Sequence, residues 1–150
     1  MLHHLLYVSE ADRNLQNYEL QEMLVPLIEN NRRLDITGLL LYGGGHFMQL
    51  LEGEREVIED LFERICSDPR HHDVHRLLTF PVENRLFDDW SMSLLNLDMR
   101  TTLEETCMIQ LVDEARRAER QRRHTDLSIR YLVQFRSLLN SPDTPVSAAV

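Results

Sequence analysis

The sequence is poor in several features that would assign a protein to a familiar class. It has no lysine, so its 16 basic residues are all arginine, and 25 acidic residues bring the formal net charge to −9. Proteins that bind duplex nucleic acid draw most of their affinity from neutralising phosphates, so this balance predicts no direct nucleic-acid partner. No apolar run approaches the ~18 residues of a membrane span, and no secretory signal opens the chain, which favours a cytoplasmic protein.

Motifs of enzymes and metal sites are also scarce. Cys66 and Cys107 are the only cysteines, too few for a disulfide framework and typical of a reducing compartment. The sequence has no Gly-rich phosphate loop, no nucleophile elbow and no pair of Cys-x-x-Cys ligands. The histidines that follow Cys66 match no closed tetrahedral spacing, so we predict no metal site.

Hydrophobic periodicity predicts an α+β domain. Short apolar runs indicate strands, and apolar residues at helical spacing indicate one-sided helices. We expect strands at 2–8, 36–42, 46–51, 74–82 and 91–97, helices at 17–31 and 54–66, and a loop from Ser9 to Asn14. The order β-α-β-β-α-β-β extends the ferredoxin-like plan, in which both helices cover one face of a mixed sheet.

The pattern changes after the last predicted strand. We expect a first domain at 1–98, a helical extension at 99–140 with apolar stripes along 103–118 and 127–138, and a flexible tail at 141–150. The stripes would bury against the sheet face that the first two helices leave open, with the remainder meeting another subunit. Composition and spacing alone assign no function to this architecture.

A set of short motifs, in order along the chain, is more specific than the composition. The set consists of Tyr7, Asn30-Asn31, DITGLL at 35–40, FMQLLEG at 47–53, DPRHH at 68–72 and WSM at 90–92. This ordered set resembles the BLUF family of flavin-binding blue-light sensors over about residues 2–98. The resemblance implies a noncovalently bound flavin, with FAD as the expected form and FMN or riboflavin as alternatives.

The resemblance also implies which residues hold the cofactor. Asn31 would grip the pyrimidine edge of the ring with Asn30 beside it, although Asn at a helix end is also a common C-cap. Met23 and Ile65 would form aliphatic walls, a role compatible with plain core packing. Charged residues after the second helix would hold the ribityl and phosphate chain, unless they are ordinary surface charges. The remaining implied residues are Arg64, Asp68, Arg70 and His71 at that chain, and Tyr7 and Gln49 at the ring.

Tyr7 and Gln49 are the residues that the resemblance implies for the photochemistry. Excited flavin would take an electron and then a proton from Tyr7, and the Gln49 amide would rearrange its hydrogen bonds and shift the absorption to the red. Only an amide can both donate and accept in either orientation. Otherwise, Tyr7 is a core aromatic and Gln49 an edge-strand polar residue. Trp90 and Met92 would relay the change, unless Trp90 simply covers the sheet.

The resemblance implies a sensor without enzymatic turnover, which passes its signal to a separate effector by protein–protein contact. The apolar stripes of the C-terminal helices predict a homo-oligomer. Two other classes stay open: a light-insensitive interaction module with the same fold, and an enzyme of the acylphosphatase kind. The enzyme needs an Arg-rich loop after the first strand, where residues 8–13 (VSEADR) are acidic instead.

Overall fold

A computed structural model of the chain describes residues 1–87 and 92–98, which form one mixed sheet with two helices. The elements are β1 (Leu2–Ala11), α1 (Asn17–Arg33), β2 (Thr37–Gly43), β3 (His46–Glu54), α2 (Arg55–Cys66), β4 (His71–Pro81) and β5 (Ser93–Asn96). The strand order is β4-β1-β3-β2-β5, antiparallel throughout except for the parallel pair β2–β5. The predicted ferredoxin-like order is confirmed, with β5 added beside β2.

Both faces of the sheet are apolar, because alternate residues of each strand point to opposite sides. On one face, Leu5, Tyr7 and Leu51 pack with Leu20 of α1 and Ile58 of α2 in one buried cluster. A second cluster occupies the other face and consists of Leu6, Val8, Leu39, Leu41, Met48, Leu50, Phe87 and Leu95. The two helices therefore cover only the first face, as the sequence predicts.

The loop predicted from Ser9 is wrong at its start, because β1 continues to Ala11. Glu10 pairs with His46 of β3, and Ala11 pairs with His71 of β4. Polar residues in these positions are compatible with a strand because neighbouring strands on both sides satisfy its backbone. The longer β1 brings the start of β4 beside Ser9, so that His71 contacts the Ser9 hydroxyl.

Part of what the sequence predicts lies outside the described residues. This applies to Trp90, to the helices expected within 99–140 and to the tail expected at 141–150. Within residues 1–87 and 92–98, neither helix has the length and apolar character needed to cross a membrane.

Candidate functional site

A cleft opens between α1 and α2 over the centre of the sheet. Most of the residues predicted to hold the cofactor line it, namely Tyr7, Met23, Asn31, Gln49, Ile65, Asp68, Arg70 and His71. Sequence reasoning missed four further apolar wall residues, Leu27, Leu40, Phe47 and Leu61. Spacing contains a signal for two of them: Leu27 lies one helical turn after Met23, and Phe47 shares the strand face of Gln49. The cleft thus has aliphatic and aromatic walls with a few polar groups among them.

Tyr7 and Gln49 meet at the floor of the cleft. They face each other directly in the β1–β3 register, and each is only 4% exposed. The Tyr7 hydroxyl donates a hydrogen bond to Oε1 of Gln49. The Nε2 amide of Gln49 in turn donates to Sδ of Met92, 3.3 Å away. Strand pairing therefore builds a continuous chain from a phenol through an amide to a thioether.

The electrostatics of the floor keep the Tyr7 proton in place. Burial raises the pKa of Tyr7 well above its ordinary value, and the nearby Cys66 and Asp68 raise it further. The Tyr7 ring packs against Phe62, with ring centroids 5.5 Å apart. Tyr7 is thus a neutral, tightly packed hydroxyl donor whose proton is directed at the Gln49 carbonyl oxygen.

Gly38 allows β2 to approach β3 closely next to Met92. A Cβ on Gly38 would lie 1.9 Å from the backbone oxygen of Leu50 and 3.4 Å from the Met92 methyl carbon. Only glycine fits at such a contact. The glycine of the DITGLL segment is therefore a structural requirement for the close approach of β2 to β3.

Asn31 lies at the upper edge of the cleft, near the end of α1. Its side chain is 1% exposed, and neither its Nδ2 nor its Oδ1 has a hydrogen-bond partner among the described residues. A buried polar group left in this state costs about 1–3 kcal/mol. The side chain does not cap α1, since the backbone N–H of Leu34 bonds to backbone carbonyls there. An amide with an unpaired donor and an unpaired acceptor fits the edge of a flavin ring, which has both.

Asp68, Arg70 and His71 form the polar mouth of the cleft. Asp68 accepts hydrogen bonds from Nε and from the backbone N–H of Arg70, each at 2.9 Å, and this pairing lowers the pKa of the Asp68 carboxyl. His71 donates through Nε2 to the Ile65 carbonyl at 2.6 Å and accepts through Nδ1 from the Ser9 hydroxyl at 2.8 Å. At the mouth, therefore, the Arg70 guanidinium is paired with the Asp68 carboxylate, and both ring nitrogens of His71 are hydrogen-bonded.

Two residues predicted from the resemblance lie away from the cleft. Arg64 is exposed because it lies about 100° around α2 from Ile65. Its Nε donates to the Asp60 carbonyl at 3.5 Å. Asn30 is half-buried, and its Oδ1 accepts a hydrogen bond from Arg33 at 3.1 Å. A role in cofactor binding stays a prediction for both.

Comparisons with known proteins point to one family. The family model described as sensors of blue-light using FAD (BLUF) matches residues 2–93. The blue light- and temperature-regulated antirepressor BluF of Escherichia coli (strain K12) is 30% identical over 135 residues, 90% of this chain and 33% of that protein. The chain thus spans about a third of the length of this curated relative.

Solved structures share the fold. BlsA in its photo-activated state is 33% identical with a TM-score of 0.61, over 74% of this chain and 79% of that one. Klebsiella pneumoniae BlrP1 with FMN and cyclic diGMP is 38% identical with a TM-score of 0.63, over 70% of this chain and 29% of that one. On the strength of the family match and of these likenesses, the chain belongs to the BLUF family of flavin-binding blue-light sensors.

Proposed function

We propose that the cleft between α1 and α2 holds the flavin ring and that Tyr7, Gln49 and Met92 beneath it form the light-responsive hydrogen-bond chain. The observation that carries this proposal is Asn31, whose buried amide has no partner among the described residues. A ring with carbonyl and N–H groups along one edge would satisfy it. Met23, Leu27 and Ile65 would contact the apolar ring faces from the two helices.

Each residue of the floor has a part in the response. Bound flavin would supply the absorption of blue light and an acceptor for one electron. Tyr7 would give the electron, and its hydroxyl proton would leave along the existing hydrogen bond to Oε1 of Gln49. Both would return to Tyr7 once the Gln49 amide has rearranged, so that no net oxidation of Tyr7 remains. Rotation or tautomerisation of the Gln49 amide would then end its contact with Met92 and aim a donor at the ring edge. The new donor to a ring carbonyl would shift the absorption to the red.

We propose FAD as the resident flavin, since the matching family is described by its use of FAD. FMN is the alternative, because it is present in the BlrP1 structure. In either case, the phosphate chain would leave through the mouth at Arg70, the cleft-lining guanidinium. Mass spectrometry of the flavin released from purified protein distinguishes the two by mass.

We propose that the chain itself is not an enzyme and works in the cytoplasm on a separate effector protein. Both ring nitrogens of His71, the imidazole at the cleft, are engaged, so it is poorly suited to act as a general base. An acylphosphatase-like site is disfavoured as well: Arg13, in the loop after β1, is paired with Glu19. A net charge of −9 favours a protein partner over nucleic acid.

The test of the function is a difference spectrum of the purified chain, dark minus lit. We expect a yellow protein with a reversible red shift under blue light. A chain that binds no flavin, or one that binds flavin without any spectral change, would contradict the proposed sensor. Size-exclusion chromatography in both states tests the expected homo-oligomer and whether light alters it.

A further inference from the structure

Glu52 is a fully buried carboxylate on the sheet face opposite the cleft. It lies level with His4 of β1 and Thr37 of β2 in the strand registers. Nε2 of His4 donates to its Oε2 at 2.7 Å, and the Thr37 hydroxyl donates to its Oε1 at 3.1 Å. The backbone N–H groups of Leu86 and Phe87 add bonds at 2.6 and 2.9 Å. One side chain thus ties β1, β2 and β3 to the segment after β4.

This carboxylate is charged in the folded chain. Burial opposes ionisation, but the hydrogen bonds from His4, Leu86 and Phe87 outweigh it and hold the pKa of Glu52 below its ordinary value. Hydrogen bonds to an ionised acceptor are roughly twice as strong as neutral ones. The backbone at Leu86 and Phe87 is therefore firmly held.

Arg85 clamps the same segment from its other side. Its guanidinium donates to the Thr37 hydroxyl at 2.9 Å and to the Glu52 carbonyl at 3.0 Å. It also donates to the carbonyl and the carboxylate of Asp35, at 2.8 and 3.0 Å. Residues 85–87 are therefore fixed to β2 and β3 by both backbone and side-chain contacts.

The fixed segment leads directly to the site. Met92 follows Phe87 by five residues, a stretch that spans at most about 18 Å. Met92 is buried and accepts the hydrogen bond of Gln49, which precedes Glu52 by three residues on β3. Both ends of this stretch thus contact β3, Phe87 through Glu52 on one face and Met92 through Gln49 on the other, and beyond Met92 the chain continues as β5 beside β2.

We propose that Glu52 is a positioning residue for the photoresponse: from the far face of the sheet it fixes residues 85–87 and so sets where Met92 stands beside Gln49. The proposal rests on the proposed function, in which Gln49 leaves Met92 in the light and returns in the dark. With the anchor loosened, Met92 would occupy a wider range of positions and the dark arrangement would be less favoured. Return to the dark state would then be slower.

The test compares the full-length, flavin-loaded protein with Glu52→Gln, which keeps the shape of the side chain but turns one acceptor into a donor. We expect dark recovery to slow by about threefold to tenfold, the rate change that corresponds to losing one hydrogen bond. Arg85→Gln should slow it in the same direction and serves as the test if Glu52→Gln fails to fold.

Two controls separate positioning from general destabilisation. Glu54→Gln changes an exposed carboxylate on the same strand. Leu6→Val weakens the packing of the far-face cluster, which includes Phe87, but leaves the hydrogen bonds of Glu52 and Arg85 to this region in place. Both should recover at the wild-type rate at temperatures well below unfolding. Recovery of Glu52→Gln at the wild-type rate, or faster, would overturn the proposal.

A second measurement needs no photochemistry. The ¹³C-methyl resonance of Met92 in the dark protein should move in Glu52→Gln and stay in place in Glu54→Gln. An unmoved resonance in Glu52→Gln would also overturn the proposal. If the wild-type chain shows no red shift, the proposed function fails, while the Met92 resonance still decides whether Glu52 positions that residue.

Discussion

Replacing Asn31 by alanine should have different effects on the flavin-loaded and the flavin-free protein. Both amide atoms of Asn31 are buried and bond no other described residue, so removing the amide breaks no hydrogen bond among those residues. The flavin-free variant should therefore unfold close to the wild-type temperature. With flavin bound, the variant loses hydrogen bonds to the ring edge instead.

The expected loss in affinity follows from the same group. Polar groups at the ring edge that lose their hydrogen-bond partner cost about 1–3 kcal/mol, which corresponds to a dissociation constant for flavin about 5- to 150-fold higher. Titration of flavin-free protein by quenching of flavin fluorescence measures that constant, and thermal unfolding with and without flavin measures the two stabilities. A loss of stability only when flavin is bound would identify Asn31 as a flavin contact. If Asn31 had a purely structural role, its replacement would lower the stability both with and without flavin.

Asn30→Ala is the matched control, since Asn30 is the adjacent residue and its side chain bonds Arg33 outside the cleft. From this position we expect flavin affinity within a factor of about two of wild type, a result that would refute the role in flavin binding that the resemblance implies for Asn30. If Asn31→Ala binds flavin as tightly as wild type, Asn31 does not grip the ring. If Asn30→Ala loses as much affinity as Asn31→Ala, then the position of Asn31 in the cleft and of Asn30 outside it does not decide which residue binds flavin.

Three further predictions concern the floor, the sheet and the far-face anchor. Tyr7→Phe and Gln49→Ala should each bind flavin but show no red-shifted product, and a normal red shift in Gln49→Ala would refute the proposed hydrogen-bond chain. Gly38→Ala places a Cβ 1.9 Å from the Leu50 oxygen, so we expect a loss of more than about 2 kcal/mol in denaturant unfolding, and a variant of wild-type stability would contradict the close approach. The pKa of Glu52 is lower in the folded chain than its ordinary value. Ionised Glu52 therefore stabilises the fold fully above the ordinary carboxyl pKa of about 4.3, and this stabilisation is lost as pH falls through the folded pKa. The difference in melting temperature between wild type and Glu52→Gln should therefore narrow between about pH 6 and pH 3, and a constant difference would speak against an ionised Glu52.

Local patterns in the sequence predict most of the fold because the helices and strands here follow their apolar periodicity closely. The helix predicted at 54–66 is observed as Arg55–Cys66, and the strand predicted at 36–42 as Thr37–Gly43. Prediction fails where polar residues form a strand, as at Ser9 and Glu10. Their place in β1 depends on pairing with β3 and β4, which are distant in the chain.

The same distinction separates the parts of the site. Gln49 and Tyr7 are found by motif, and the β1–β3 register then brings them into contact. Arg64 is the neighbour of Ile65 on α2, but helix geometry turns it to solvent, and its role in cofactor binding stays a prediction. A residue-by-residue transfer from a family cannot detect that difference without the direction of each side chain.

Under the proposal for Glu52, β3 links the cleft to the opposite face of the sheet. Gln49 and Glu52 are three residues apart on β3, so their side chains point to opposite faces. In the sequence, Glu52 is only the acid of the FMQLLEG segment; its partners His4, Thr37 and Phe87 come from three other parts of the chain. A change in the Gln49 amide alters its contact with Met92, and the stretch back to Phe87 is short and anchored at Glu52. We therefore expect the packing of Phe87 in the far-face cluster to change when Gln49 leaves Met92.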